Sequence, residues 1–152
     1  MITHEPITKA CYDIFIGTDE RDWNRVEGAF AAQVWLDYSS MSGQPAATLT
    51  PGEITSAWKE LLPGFDHTHH QLGNVIVTER GPEAEVFCYG TATHYLANVS
   101  GGLVWTVVGT YQFHVVNSAG VWRVDRLTFT FKYQDGNLEL PKLAGERAKA
   151  RA

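Results

Sequence analysis

The chain has 152 residues, enough for one domain of ordinary size and too few for two; at this length about two thirds of the unfolded surface can be buried without a disulfide or metal staple. With 44% hydrophobic and 19% charged residues it is no disordered tail, and its net charge of -5, from 12 Lys and Arg against 17 Asp and Glu, gives no basic footprint for nucleic acid. Two cysteines, Cys11 and Cys88, suit a reducing compartment, residues 103–108 are far too short an apolar run to span a membrane, and His4, Glu5 and Lys9 break any signal-peptide core, so a cytoplasmic protein is expected.

In chain order, Ile7, Ala10, Cys11, Ile14 and Phe15 recur at three- and four-residue spacing, which predicts an amphipathic helix over about 6–15, stopped by Gly17. A second short helix is expected from Asp22, with Trp23, Val26 and Phe30 on one face. Val34, Leu36 and Tyr38 then alternate with Trp35 and Asp37, the pattern of a strand. Residues 39–49 read as loop. Thr50-Pro51-Gly52-Glu53 has the spacing of a capping box with proline at the first helical position, so a third helix should run through Ile54, Trp58 and Leu61 to Leu62 and end at Pro63-Gly64. From His67 onward the chain reads as strands, over 73–79, 86–98, 103–117 and 121–133.

Helices followed by an antiparallel meander predict α+β packing, with the helices on one face of the sheet. Strands of 13 to 15 residues exceed the usual ~5 to 6, which implies a sheet strongly curved around a pocket. One domain is expected over 1–140. Residues 141–152 carry Lys142, Arg147, Lys149 and Arg151 and read as a basic tail, more readily a frayed helix or disordered end than a lid over the pocket.

The segment 117–121 suits a three-residue hairpin loop with Gly120 left-handed. That register pairs Tyr111 with Leu127, Gly109 with Phe129, Val107 with Phe131 and Trp105 with Tyr133 on one apolar face. His114, Gln112, Thr110, Thr128, Thr130 and Lys132 fall on the wetter side. Period 2 also groups Val86, Cys88, Gly90, Ala92 and His94. If that face joins the apolar one, His94 points into a space that glycine and alanine leave open.

His67, His69 and His70 suggest a metal, but no third carboxylate or thiol stands at an obvious spacing, and a loop of solvated imidazoles is the better reading. Cys88 reads as a small hydrophobe. His70 and His94 gain more meaning beside acids and phenols. A neutral histidine next to a carboxylate can abstract a proton α to a carbonyl while a tyrosine hydroxyl stabilises the oxyanion.

The order Asp19-x-x-Asp22-Trp23, Leu36-Asp37-Tyr38-Ser39, Thr68-His69-His70-Gln71-Leu72-Gly73 and Gly120-Val121-Trp122-Arg123-Val124 resembles the SnoaL-like group of the nuclear-transport-factor-2-like superfamily, and within it the scytalone dehydratases. The likeness runs from about residue 10 to 133. It implies a cone, with helices in the concavity of a curved sheet and an apolar pocket between them. It also implies removal of water from a cyclic hydroxyketone with no metal or organic cofactor. By that resemblance His70 is the base and Tyr38 polarises the carbonyl through a water, aided by Tyr111. Asp19 hydrogen-bonds His94 to fix its tautomer. Trp105, Val107, Leu127, Phe129, Phe131 and Phe65 form apolar walls for a flat aromatic or polyketide-like substrate. The family's second tyrosine, just before its aspartate, is Thr18 here, and its pocket Ser and Asn fall on Gly109 and Tyr111.

Two other readings stay open. One is isomerisation or cyclisation of a related ketone, with Asp19 or Asp37 as a carboxylate base. The other is a non-catalytic ligand-binding or assembly module. Under every reading the partners expected are a small molecule and further copies of the chain, as a dimer or trimer meeting through the outer sheet face around Trp35, Trp122, Val108 and Val116; no nucleic acid or membrane is expected.

Overall fold

Helix α1, Glu5–Glu20, opens the chain in the computed structural model, which describes residues 3–151. It runs past Gly17, the expected stop, and ends at Arg21 in the left-handed conformation. A methyl on Gly17 would stand 2.8 Å from Val26 Cγ2, so this glycine serves the close approach of α2 (Trp23–Ala29) rather than termination. Asp22 caps α2 by accepting from the Arg25 backbone N–H at 3.2 Å. Phe30, expected on the face of that helix, instead begins strand β1 (Phe30–Asp37).

The segment read as loop holds a one-turn helix α3 (Ser39–Ser42) and a short strand β2 (Ala47–Leu49). Helix α4 (Pro51–Lys59) begins with the expected capping box between Thr50 and Glu53. It stops three residues before Leu62, and Leu62–Gly64 form a single 3-10 turn.

Four long strands follow: β3 (His67–Arg80), β4 (Glu83–Tyr95), β5 (Val104–Ser118) and β6 (Val121–Gly136). The sheet order is β2-β1-β6-β5-β4-β3, antiparallel throughout except for the parallel pair β1 and β6. The apolar stripe of α1, with Ile7, Cys11, Ile14 and Phe15 buried, shares one core with the inward residues of β4, β5 and β6. Helices seated in the concavity of a curved mixed sheet make the expected α+β cone. Burial pushes the thiols of both Cys11 and Cys88 up, Cys88 to about 12, and the neighbouring Cys88 adds to the effect on Cys11.

The β5–β6 register differs from the expected one. Ser118 pairs with Val121, so the loop has two residues, Ala119 and Gly120, at φ 54° and 84°. Positive φ at both is the turn that matches strand twist. The register then slips between His114 and Val115, where one extra residue of β6 is accommodated, and Tyr111 comes to pair with Phe129 and Gly109 with Phe131. The short turn and the bulge together move the pairing by two residues, which keeps Tyr111, Leu127 and Phe129 on the same inner face. The register slips again between Val108 and Gly109, so Val107 pairs with Gln134 and Trp105 with Gly136 rather than with Phe131 and Tyr133. Tyr133 falls opposite Val108 and is exposed, and the expected segregation of faces holds only as far as Phe131.

The C-terminal segment, expected as a frayed helix or a disordered end, is a docked helix, α5 (Leu140–Arg151). It buries Leu140, Ala144 and Ala148, and Arg147 and Arg151 donate to the carbonyls of Ala97 and Pro63 at 3.0 and 2.9 Å. A methyl on Gly64 would lie 1.7 Å from the Ala144 carbonyl oxygen, so only glycine lets α5 dock on the 3-10 turn. Gly64→Ala is expected to cost about 2 kcal/mol or more by overpacking. Gly28→Ala, whose added methyl meets nothing within 4 Å, should instead raise stability by about 0.4–1 kcal/mol. Thermal unfolding of both variants checks the contrast.

Candidate active site

A cavity of about 190 Å³ lies between the concave sheet, α1 and the α4 segment. Among the predicted site residues, His70, His94, Tyr38 and Tyr111 line it, as do Trp105, Val107 and Phe129. Three predicted wall residues do not. Leu127 is fully enclosed behind the wall, and Phe131, half-buried opposite Gly109, packs against the core without lining the cavity. Phe65 acts one layer back, its ring 4.9 Å from His94 and 6.1 Å from Trp105.

Asp19 stands behind His70 rather than at the cavity surface, and its partner is not the one expected. Its Oδ1 lies 2.7 Å from His70 Nδ1, and its Oδ2 accepts the backbone N–H of His70 at 2.7 Å. Thr68 donates its hydroxyl to the same Oδ1 at 2.9 Å. His94, assigned to Asp19 by the resemblance, directs Nδ1 at the Trp105 carbonyl 3.0 Å away. The reason is topological: Asp19 ends α1 beside edge strand β3, whereas His94 on β4 lies opposite Trp105 in the ladder. In the neutral form each imidazole carries its proton on Nδ1 and keeps Nε2 as a lone-pair nitrogen. The two rings stand 5.9 Å apart, nearly perpendicular, and Phe15 stacks on His70 at 5.0 Å.

Tyr38 and Tyr111 flank Phe129, with ring centroids 5.6 and 4.9 Å from it. Burial pushes both phenols well up, and at Tyr111 the neighbouring Tyr38 adds to the rise, so both remain donors. The space expected to stay open beside Gly90 is filled: a methyl there would meet the Tyr111 ring at 2.1 Å. Glycine on β4 therefore seats the phenol. Thr18, at the position of the family's second tyrosine, is buried and gives its hydroxyl proton to the Ile14 carbonyl at 2.7 Å.

The sequence reading missed Phe15, Met41, Trp58, Leu61 and Leu62 as lining residues. For Trp58, Leu61 and Leu62 the signal is the apolar spacing of the segment after Thr50, which identifies a buried side but not what it is buried against. No Asp, Glu, Lys or Arg is among the lining residues. Among the described residues no three His, Cys, Asp or Glu side chains converge to hold a metal ion. Nor is any described helix long and apolar enough to cross a membrane.

Residues 3–128 match the family model for the SnoaL-like domain, and the chain belongs to that family. Its fold is the nuclear-transport-factor-2-like cone. Similar solved structures include the Kfla4162 protein of Kribbella flavida, 21% identical over 96% of each chain, with a TM-score of 0.80. A protein of Novosphingobium aromaticivorans provisionally assigned as a scytalone dehydratase is 17% identical over 88% of this chain and 86% of its own, with a TM-score of 0.75. The hexachlorocyclohexane dehydrochlorinase LinA-type3 of Novosphingobium barchaimii is 14% identical over 89% and 90%, with a TM-score of 0.73. No curated protein sequence matches the chain.

Burial, with the neighbouring His70, lowers the pKa of His94 from 6.5 to about 4. Unfolding frees this ring to take a proton below pH 6.5, so its contribution to stability is complete above 6.5 and is lost as pH falls towards about 4, roughly 3 kcal/mol in all. His94→Phe, an apolar ring between Phe65 and Trp105, should shrink the stability difference between pH 7 and 4.5 by roughly 2 kcal/mol. Urea unfolding at the two pH values measures it.

Proposed function

We propose that this protein is a cofactor-independent hydro-lyase that dehydrates a small cyclic hydroxyketone of aromatic or polyketide-like character. The observation that carries the reading is the His70 imidazole, fixed at Nδ1 by Asp19 and presenting Nε2 to an apolar cavity that also holds two protonated phenols. His70 Nε2 takes the proton α to the carbonyl. The electron pair of that C–H bond becomes the new C=C bond as the C–O bond breaks, and the imidazolium returns the proton to the departing hydroxyl, which leaves as water. Tyr38, through a water and aided by Tyr111, donates to the carbonyl oxygen as charge builds there. Neutral His94 offers Nε2 as an acceptor for a substrate hydroxyl. Phe129, Trp105 and Val107 supply flat apolar walls.

The structural relatives support the class of reaction. By name, one removes water and another hydrogen chloride, and both eliminations can begin with removal of a proton. Isomerisation or cyclisation, read with Asp19 or Asp37 as the base, calls for one of these carboxylates at the cavity. Asp19 is shielded by His70, and Asp37 is taken up by Ser39, accepting its backbone N–H at 2.9 Å and its hydroxyl at 2.6 Å. Dehydration by an imidazole base is therefore favoured. A homo-oligomer, dimer or trimer, is proposed as well, because Trp35 and Tyr89 on the outer sheet face are 42% and 47% exposed. Sedimentation at micromolar concentration should show more than monomer.

With a cyclic β-hydroxyketone as substrate, His70→Ala should lower kcat/KM by about 10²- to 10⁴-fold, and Tyr38→Phe by about 10- to 10³-fold, while both variants stay folded. Steady-state kinetics decides the matter: unchanged turnover in both would remove the assigned roles.

A further inference from the structure

Arg21 occupies the left-handed position that ends α1, at φ 60° and ψ 28°, where glycine or asparagine is the usual occupant. Its half-buried guanidinium reaches three separate parts of the fold. Nη1 donates to the Thr18 carbonyl at 2.7 Å and to Thr68 Oγ1 at 2.9 Å, and Nη2 donates to the Leu62 carbonyl at 2.7 Å. The first lies in the last turn of α1, the second on β3, the third on the 3-10 turn whose Leu62 lines the cavity.

The hydroxyl of Thr68 has one proton. Because its oxygen receives Arg21, that proton is directed to Asp19 Oδ1, the same atom that faces His70 Nδ1. Asp19 sits at the negative end of α1, an unfavourable place for a carboxylate, and the guanidinium anchored to the same turn supplies the opposing charge. Only a planar fork with several fixed donors can hold all three acceptors at once.

We infer that Arg21 is the positioning residue for His70, acting through Thr68 and Asp19, and that by holding Leu62 it ties the cavity wall to the base. Without it Thr68 can turn its hydroxyl away, Asp19 loses a fixed donor, and the His70 ring is no longer held with its proton on Nδ1. The Nε2-protonated form, which an unrestrained imidazole prefers, then grows, and it cannot accept a proton from the cavity side. The catalytic part of this inference rests on His70 being the base; the geometric part does not.

The test is ¹⁵N NMR of the imidazole nitrogens in the ligand-free full chain, alongside kinetics with the cyclic hydroxyketone. Wild type is expected to show His70 protonated on Nδ1. Arg21→Gly relieves the left-handed backbone, so folding is not penalised by strain. It should show a mixture of tautomers, and kcat should fall by up to roughly a hundredfold with little change in KM. Thr68→Val removes the middle link and should give the same mixture. Arg21→Lys, with charge but no fork, should fall between Arg21→Gly and wild type. Retention of the pure Nδ1 form in Arg21→Gly would overturn the inference. A mixture in Arg21→Gly with none in Thr68→Val would overturn the route through Thr68. The tautomer readout needs no substrate, so wild type lacking turnover while the variants shift as expected would defeat the dehydratase reading and leave the positioning role standing.

Discussion

One carboxylate joins the first helix to the edge of the sheet. The apolar stripe of α1 can slide along a concave apolar surface at little cost, because hydrophobic contact has no direction. Asp19 removes that freedom. It receives the backbone of His70, the ring of His70 and the hydroxyl of Thr68, all from β3, and so fixes both where α1 stops and how far along the strand it lies. That joint fixes the spacing of helix and strand beside the cavity, which the core alone would not. Charge-assisted hydrogen bonds carry the geometric precision that burial lacks.

The far end of the sheet solves a different problem. A two-residue turn is the best match to strand twist, yet on its own it would put the outer residues of β6 opposite the inner residues of β5. The bulge near Asp125 restores the match one turn of the pleat later. Asp125 then projects on the outer side, within hydrogen-bond reach of His114. The strand gains bend at the place where the sheet must curve.

Much of this was legible in the chain because it depends on side-chain polarity. Threonine, glutamine and lysine at alternate positions of β5 and β6 mark the outer face whatever the register. Thr50 and Glu53 announce their capping box, and His70, Tyr38 and Tyr111 could be placed at the pocket from pattern and resemblance. What escaped notice depends on the backbone. The Trp105 carbonyl that orients His94 has no sequence signature, since every residue carries one. The docking of helix α5 has no sequence signature because its buried side is mostly alanine, at Ala144 and Ala148, too small to register as an amphipathic stripe. Gly17 and Gly64 looked like punctuation and are packing surfaces, a difference visible only once the neighbouring element is in place.

The pair Cys11 and Cys88, one on α1 and one on β4, has a consequence of its own. Alkylating and oxidising reagents attack thiolates, and enclosure keeps both sulfurs protonated and out of reach. Neither can react until the helix parts from the sheet, which is the same event that would open the core and dismantle the joint at Asp19. The rate of thiol modification is therefore a clock for that parting, carried by the native chain without any added label.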